Sequence, residues 1–247
     1  IGLLLAERLL QDGHKLVLSA RRQDPMAYLL KRFPDTCYLL PLDVGDTLAV
    51  REAAHVLPTF FGGLDVIILN AGVCEYVDID QFDSDQIERV MNINLFGASR
   101  CLEIGLPLLG NPGGNGRPYI VSIGSLADRV AFPRAQAYGA SKAALRYFME
   151  CMQLELRQRD IDLSFVEPGF VATPMSAAND FPMPFMLSSA QAVEFIVKGM
   201  RRRKAMISFP KALAWPLIFA SLFGPAWRSW IGPWLSRREL QKTGSAP

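Results

Sequence analysis

Short apolar segments alternate with longer helical patterns along most of this chain of 247 residues. Several of the apolar segments are almost continuously hydrophobic, as expected for strands that are covered by helices on both faces of a sheet. Repeated alternation of strand and helix is typical of parallel sheets. The pattern therefore predicts an α/β fold with a three-layer, doubly wound parallel sheet. The predicted strands are Lys15–Ala20, Thr36–Pro41, Leu64–Leu69, Tyr119–Ile123, Asp162–Val166 and Ala205–Phe209. The predicted helices are 25–33, 47–60, 85–109, 136–159 and 189–203.

The composition fits a single globular domain and excludes some classes of partner. Half of the residues are apolar and a fifth are charged, which is enough to build a sizeable core. The net charge of +2 gives no indication of nucleic-acid binding. The four cysteines are far apart in the sequence and form no CxxC pair, so we expect free thiols in a reducing, cytoplasmic compartment and no metal site.

Polar and glycine residues follow the ends of the predicted strands. Ligands of doubly wound sheets bind beyond the carboxyl ends of the strands, so these residues are the first candidates for a site. Together they would form a rim of hydrogen-bonding groups around one crevice. They are Ala20–Arg22, Asp43–Val44, Asn70–Gly72, Ser122–Ser125 and Pro168–Gly169.

The segment YGASK, from Tyr138 to Lys142, is the sharpest chemical signal. A spacing of four residues places the phenol and the ammonium on one face of a helix. A nearby cation favours the phenolate, so we expect Lys142 to lower the pKa of Tyr138 and to tune it for proton transfer. The alternative is a chance pair of neighbours on a helix.

Two further polar residues fit the same chemistry. Ser125 follows an apolar strand and would place a hydroxyl near a substrate carbonyl, or it is only a turn residue. Asn94 lies in a helical pattern as NLFG, and a buried asparagine needs partners for its amide, so we expect a polar network around it. The alternative is a helix-bending or surface asparagine.

Taken together, these segments strongly resemble the short-chain dehydrogenase/reductase family. The matching motifs occur in the order of the family and cover roughly Ile1 to Phe209. They are NAG at Asn70–Gly72, NLFG at Asn94–Gly97, SIGS ending at Ser125, YGASK at Tyr138–Lys142 and PGFVATPM at Pro168–Met175. The resemblance implies a Rossmann-like fold and a nicotinamide cofactor.

The resemblance also implies a role for each matching position. Tyr138 would be the catalytic acid/base, and Lys142 would lower its pKa and bind the nicotinamide ribose. Ser125 would orient the substrate carbonyl, and Asn94 would hold a water that links Lys142 to solvent. Other matching positions would contact the cofactor: Asn70, Ala71 and Gly72 near the adenine-side ribose, Asp43 and Val44 at the adenine, and Pro168, Gly169, Val171 and Thr173 at the nicotinamide.

The residues after the second strand of such a fold indicate which cofactor is used. An acidic residue there binds the ribose 2′-hydroxyl of NAD, whereas arginine accommodates the 2′-phosphate of NADP. Arg21 and Arg22 occupy this place, and no acid occurs before Asp24. We therefore predict NADP(H) over NAD(H), with Arg21 as the main contact. The alternative is two solvated arginines.

The first two residues match the end of a motif of this family. Ile1–Gly2 resemble the last two positions of its glycine-rich TGxxxGIG turn, so we assign Gly2 to the cofactor site. The strand that precedes this turn would lie between the strands at Lys15 and Leu64. We expect the chain printed here to be a fragment that lacks this strand.

The remaining segments bear on the substrate and on partners. We predict a catalytic domain over 1–209 with a substrate flap at 174–189, whose methionines and phenylalanines favour a lipophilic carbonyl or alcohol. The alternative is that these side chains only pack the flap onto the body.

The tail, 210–247, is apolar and basic and is not an independent domain. From Lys198 onward the chain has ten Lys or Arg and one acidic residue, and all four tryptophans lie in this stretch. This composition fits contact with a membrane surface, with Arg201–Lys204 and Arg237–Arg238 at the headgroups, or an apolar cap over the site.

These observations leave two functions from different classes. One is an NADP(H)-dependent oxidoreductase acting on a small-molecule carbonyl or alcohol, alone or at a membrane surface. The other is a catalytically silent binding protein of the same fold, against which the complete set of four polar residues argues. By analogy with the family, the long helices at 85–109 and 136–159 predict a homodimer or tetramer.

Overall fold

The computed structural model describes residues 1–110 and 116–231. Within them, six parallel strands form two sheets. β1 (Leu16–Ala20) pairs with β2 (Cys37–Pro41). β3 (Val66–Leu69), β4 (Tyr119–Ile123), β5 (Asp162–Pro168) and β6 (Met206–Phe209) pair in that order. All six predicted strands are confirmed, with ends that differ by up to two residues.

Helices occupy all five predicted ranges, some of which are divided, and further helices lie outside these ranges. Those in the first half are α1 (Gly2–Gln11), α2 (Ala27–Arg32), α3 (Thr47–Val56), α4 (Pro58–Phe61), α5 (Ser84–Met91) and α6 (Gly97–Gly105). Those in the second half are α7 (Gln136–Arg157), α8 (Pro174–Ala177), α9 (Ser189–Arg201), α10 (Lys211–Ser221) and α11 (Gly224–Ala226). The predicted helix 85–109 contains a π-helical turn, Asn92–Phe96, between α5 and α6.

Helices cover both faces of the four-stranded sheet. α1 and α9 pack on the face formed by Tyr119, Val121 and Ile123 of β4. α6 and α7 pack on the opposite face, against Ile120. Alternate residues of one strand thus enter two separate cores, which explains why β4 is apolar at nearly every position. The predicted three-layer, Rossmann-like arrangement is confirmed.

A cleft separates the two sheets. Among the described residues β1 does not pair with β3, and both strands line one cavity of about 3320 Å³. The division falls at the position where the sequence predicts a further strand. The same cavity continues past the carboxyl ends of β3, β4 and β5, where the candidate site residues lie.

The tail packs on the carboxyl end of the sheet. α10 follows β6 directly, and its Ala214 and Leu217 are buried against Leu126 and Val130. The tail contacts the body through α10 and Trp227, and Ile231 is the last residue that the structure describes. The remaining predicted tail, 232–247, lies outside the described residues.

Candidate active site

Tyr138 and Lys142 lie one turn apart near the start of α7, as their spacing predicts. The Nζ atom of Lys142 donates a 2.9 Å hydrogen bond to the carbonyl oxygen of Ile123, at the end of β4. Nζ lies 5.8 Å from the centre of the Tyr138 ring. The strand end thus anchors the buried ammonium beside the phenol.

The pKa of Tyr138 differs from the prediction made from the sequence. Instead of being lowered by Lys142, the pKa of Tyr138 is raised to about 12, chiefly by burial. The Ser125 hydroxyl opposes this shift, whereas Cys74 and Asp128 add to it. Burial also lowers the pKa of Lys142, to about 8. The prediction was wrong because removal of the phenol from water is the largest effect on its pKa, and no lowering by Lys142 offsets it.

Ser125 lies directly after β4 and begins the 3₁₀ turn Leu126–Asp128. Its Oγ accepts a 3.1 Å hydrogen bond from the backbone N–H of Ala127. Its hydroxyl also faces Tyr138 closely enough to lower the pKa of that phenol. β4 is buried along its whole length, so the point at which Ser125 leaves the sheet is well determined.

Asn94 is fully buried in the π-helical turn and has a polar network, as predicted. Its Nδ2 donates to the Val73 carbonyl and to Ser141 Oγ, both at 2.9 Å. Its Oδ1 accepts from the Val73 N–H at 2.8 Å. Both hydrogens of the Asn94 amide are therefore already bonded. The predicted binding of a water by Asn94 stays a prediction, and only an oxygen atom of the residue could make it.

The loop after β3 lies between α1 and the predicted catalytic residues. A Cβ atom on Gly2 would lie 2.4 Å from Asn70 Nδ2, so a side chain there would require Asn70 to move. A Cβ atom on Gly72 would lie 3.3 Å from Asn94 Oδ1 and 3.4 Å from Lys142 Nζ. The predicted NAG segment thus contacts the start of α1 at one end and approaches Asn94 and Lys142, two of the predicted catalytic residues, at the other.

The predicted adenine-side residues lie after β1 and β2. Arg21 and Arg22 are exposed, and Arg21 Nη1 lies 3.9 Å from Asp43 Oδ2. Val44 is partly buried and packs closely on Gly97, at which a Cβ atom would lie 2.7 Å from Val44 Cγ2. All four predicted residues line the same cavity as the catalytic residues.

The segment predicted to receive the nicotinamide begins at the end of β5. Gly169 follows this strand, and Val171 forms an isolated β-bridge with Leu187 across the base of the flap. Thr173 caps α8: its Oγ1 accepts from Ser176 N–H at 3.2 Å, and its own N–H donates to Ser176 Oγ at 2.9 Å. The capping box uses the Thr173 N–H and one lone pair of its Oγ1, so a second lone pair of the hydroxyl is not used by the box.

Comparison with known proteins decides the family. A family model described as short chain dehydrogenase matches residues 1–181. The chain belongs to the short-chain dehydrogenase/reductase family. The resemblance of the motifs is thus confirmed, and this dehydrogenase/reductase is an NAD(P)-dependent oxidoreductase.

Its relatives differ in how much of their length the chain covers. An uncharacterized oxidoreductase of Myxococcus xanthus is 34% identical over 181 residues, which cover 73% of this chain and 70% of the relative. A protein named 11-beta-hydroxysteroid dehydrogenase-like 3, from Arabidopsis thaliana, is 29% identical over 90% of this chain and 74% of its own length. The chain spans only 52% of a rat dehydrogenase/reductase that is 28% identical over 66% of this chain.

Solved structures support the fold. A short-chain dehydrogenase from Streptomyces avermitilis superposes with a TM-score of 0.78 at 20% identity and covers 98% of this chain and 94% of its own. The RhlG/NADP complex of Pseudomonas aeruginosa has a TM-score of 0.66 at 25% identity and covers 90% of this chain and 84% of its own.

Sequence reasoning missed two groups of residues beside the site of this dehydrogenase/reductase. Tyr76, in the loop after β3, donates a 2.6 Å hydrogen bond to Asn179 Oδ1 of the flap. Asp128 and Glu167 have fully buried carboxylates next to Ser125 and Pro168. The acidic residues did carry a signal, since Glu167 directly precedes the motif at Pro168 and Asp128 lies three residues after Ser125, but their burial is a property of the folded chain.

Proposed function

We propose that this dehydrogenase/reductase interconverts a carbonyl and a secondary alcohol with NADP(H), on a lipophilic substrate. The observation that carries the proposal is the convergence of Ser125, Tyr138 and Lys142 at the end of β4. A bound nicotinamide cofactor supplies or accepts the hydride. The chain itself provides the proton, the orientation of the carbonyl and the charge around both.

The protonation states favour reduction at neutral pH. With its pKa raised to about 12, Tyr138 keeps its proton and is ready to donate it to a carbonyl oxygen. Ser125 can donate a hydrogen bond to the same oxygen and so polarise the carbonyl. Lys142, whose pKa is lowered to about 8, remains mostly cationic at pH 7 and stabilises the tyrosinate that proton transfer leaves.

The preference for NADP(H) rests on Arg21 and Arg22. Both guanidinium groups are exposed at the rim of the cavity, where a 2′-phosphate would pair with them. The 3.9 Å contact with Asp43 leaves the Arg21 side chain 61% exposed, so it keeps donors free for a phosphate. The residues of the rim thus fit the phosphorylated cofactor better than an unphosphorylated ribose.

The proposed lipophilic substrate fits an aromatic wall of the cavity. Phe181 of the flap packs edge-on against Tyr76, with ring centres 5.8 Å apart, and against Phe170 at 6.1 Å. Phe132 and Met175 also line the cavity. The same contacts serve to pack the flap onto the body, which is the alternative explanation for its apolar composition.

The tail is proposed as a cap over the substrate side. Leu213 approaches Gly169, where a Cβ atom would lie 2.8 Å from Leu213 Cδ2. Trp227 packs edge-on against Phe132 at 5.9 Å and donates a 2.8 Å hydrogen bond to the Ala131 carbonyl. Both tail residues line the cavity.

Membrane contact through the tail is a second proposal. The aromatic and the basic residues that suggested it lie on different elements of the structure. Trp215 and Phe219 are exposed on α10, which follows β6, whereas Arg201–Lys204 precede that strand. β6, which spans roughly 13 Å, lies between the two groups in the sequence. No described helix combines the length and hydropathy needed to cross a bilayer. Co-sedimentation of the protein with anionic phospholipid vesicles, compared with the Trp215→Ala variant, would test the aromatic face.

Matched tryptophan variants test the cap. We expect Trp227→Ala to raise KM for large apolar carbonyls about tenfold and to leave KM for small ones unchanged. Trp230→Ala is the control, because Trp230 is 81% exposed. Equal effects of the two variants would contradict a cap.

Self-association and a cytoplasmic location stay predictions. Exposed apolar side chains on the helices concerned, Tyr147 and Leu154 on α7, fit a subunit contact. Light scattering of the purified protein would give its mass in solution.

The direct test of the proposed function is hydride transfer to a panel of carbonyls graded in size and polarity, with NADPH and NADH compared. We expect NADPH to be preferred and kcat/KM to rise with apolar surface. Turnover of only small polar carbonyls would refute the lipophilic substrate, and equal use of NADH would refute the cofactor preference. Binding of NADPH without turnover of any carbonyl would favour the silent binding protein.

A further inference from the structure

Four ionisable side chains cluster behind the turn that carries Ser125. Asp128 ends this turn, and Arg129 follows it. Glu167 lies on β5 directly before the Pro168–Gly169 corner, and Arg146 lies on α7, one turn beyond Lys142. The side chains of both acids are completely shielded from solvent, and those of Arg129 and Arg146 are 13% and 28% exposed.

Asp128 is held between two cations. Its Oδ2 lies 3.5 Å from Arg146 Nε and its Oδ1 lies 3.7 Å from Arg129 Nε. Neither carboxylate oxygen has a hydrogen-bond partner among the described residues. Charge attraction alone therefore connects the Ser125 turn to α7 through this residue.

Arg129 extends the connection to the other side of the site. Its Nη2 lies 2.5 Å from Glu167 Oε1. Glu167 Oε2 accepts a 2.6 Å hydrogen bond from Ser208 Oγ on β6, the residue paired with Glu167 in the sheet. The pair thus ties the Ser125 turn to the end of β5, next to the segment predicted to receive the nicotinamide.

Burying these charges is costly, because carboxylates without full hydrogen bonding lose their hydration. A well-packed apolar cluster would hold the same elements together at less cost. The ion pairs also fix the relative orientation of these elements, since each charge specifies which groups must face each other. The three elements that they join carry Ser125, the Tyr138–Lys142 pair and the nicotinamide corner.

We propose that Asp128 is a positioning residue: through Arg146 and Arg129 it fixes the position of the Ser125 turn relative to α7 and β5. This inference rests on the proposed function, since it concerns the geometry of that reaction. Asp128 does not contact the substrate. It acts through the position of Ser125 and through the charge that it presents to Tyr138.

The charges around Asp128 make the position of the Ser125 turn sensitive to pH. Burial and the neighbouring Glu167 and Glu150 raise the pKa of Asp128 to about 7, against the opposing effect of Arg146 and Arg129. Asp128 also raises the pKa values of Tyr138 and Lys142, which lie on α7. Below pH 7 the carboxyl is neutral, and its attraction to both guanidinium groups is lost.

The test is the Asp128→Asn variant, assayed for carbonyl reduction with NADPH from pH 6 to pH 8.5. We expect kcat to fall about tenfold or more at pH 8, with KM for NADPH within about twofold, because a displaced Ser125 weakens orientation of the carbonyl. At pH 6, where Asp128 is itself neutral, the kcat values of the variant and the unaltered protein should approach each other. Glu150→Gln is the matched control, because Glu150 pairs with the same Arg146 at 3.0 Å but is 45% exposed.

Two outcomes would overturn the proposal. One is an unchanged kcat at pH 8, and the other is a loss that is the same at pH 6 and pH 8, as a merely structural role would give. If Asp128→Asn does not fold, Arg146→Met provides the second variant. It removes a cation that lowers the pKa of Asp128, so the decrease of kcat on the acid side of its pH profile should move to higher pH. An unmoved decrease would contradict the proposal.

A readout without turnover separates this proposal from the proposed function. Tyrosinate absorbance, corrected with matching Tyr138→Phe variants, follows ionisation of Tyr138 alone. Asp128→Asn should bring this ionisation to lower pH, since a negative charge that opposes it is removed. If the unaltered protein reduces no carbonyl, the proposed function fails while this titration still decides whether Asp128 acts on Tyr138, and an unmoved titration would then refute the inference.

Discussion

The two ends of the cavity are built in opposite ways. At the catalytic end, Asn94 and Lys142 are buried and each is held by hydrogen bonds to backbone carbonyls. At the adenine end, Arg21 is 61% exposed and has one ion pair of 3.9 Å. Proton transfer requires groups that are already in place, whereas recognition of a phosphate can use flexible cations. The comparison predicts that substitutions at the two ends affect different measurable properties.

The largest effect is expected at Tyr138. Tyr138→Phe removes the proton donor and keeps the ring, so we expect kcat to fall by about 10³-fold or more, while the affinity for NADPH stays within about threefold. Steady-state kinetics and NADPH fluorescence titration measure the two quantities. Retained turnover would show that another group donates the proton.

Asn94→Ala tests whether the catalytic end is rigid because of its polar network. The substitution removes the side-chain partner of the Val73 N–H and carbonyl and the donor to Ser141 Oγ, whose own hydrogen bond to the Tyr138 carbonyl remains. We expect the free energy of unfolding to fall by about 2–4 kcal/mol, measured by urea denaturation. Asn70→Ala is the control at an exposed position and should change it by less than about 0.5 kcal/mol. Equal losses would remove the distinction between a fixed catalytic core and its rim.

Arg21→Ala tests the adenine end. We expect the preference for NADPH over NADH to fall about 30-fold, because a charge-assisted bond to the 2′-phosphate is lost. The value of kcat with saturating NADPH should change by less than about twofold. Arg22→Ala should show the same direction with a smaller change. If Arg21→Ala weakens both cofactors equally, the arginine does not read the phosphate.

The smallest effect expected is a pH dependence of stability at Asp128. Its pKa is raised from 3.8 to about 7 in the folded protein, so its contribution to stability is fully present below pH 4 and is lost as pH rises to about 7. Asp128→Asn lacks this loss. The stability of the variant relative to the unaltered protein should therefore increase by about 1–3 kcal/mol between pH 5 and pH 8. Thermal denaturation at both pH values measures it, and a constant difference would contradict the raised pKa.

The places of the proposed catalytic residues in the fold were largely predictable from the sequence, because these residues lie in short motifs at strand ends and on one helix. The strands followed from runs such as YIVSI at Tyr119–Ile123, which enters two cores at once. The direction of the Tyr138 pKa was not predictable, since it depends on how much water the folded chain removes from the phenol. The pairing of Arg129 with Glu167 joins residues 38 positions apart, and no local pattern indicates it.

A double-variant cycle tests the separation of the two ends most directly. The affinities of NADPH and NADH would be measured for the unaltered protein, Arg21→Ala, Tyr138→Phe and the double variant. The account predicts that Arg21→Ala weakens NADPH binding by the same factor, within about twofold, whether residue 138 is Tyr or Phe, and that NADH binding barely changes. A factor that differs more than about tenfold between the two backgrounds would show that the two ends of the cavity act as one unit and would contradict the account.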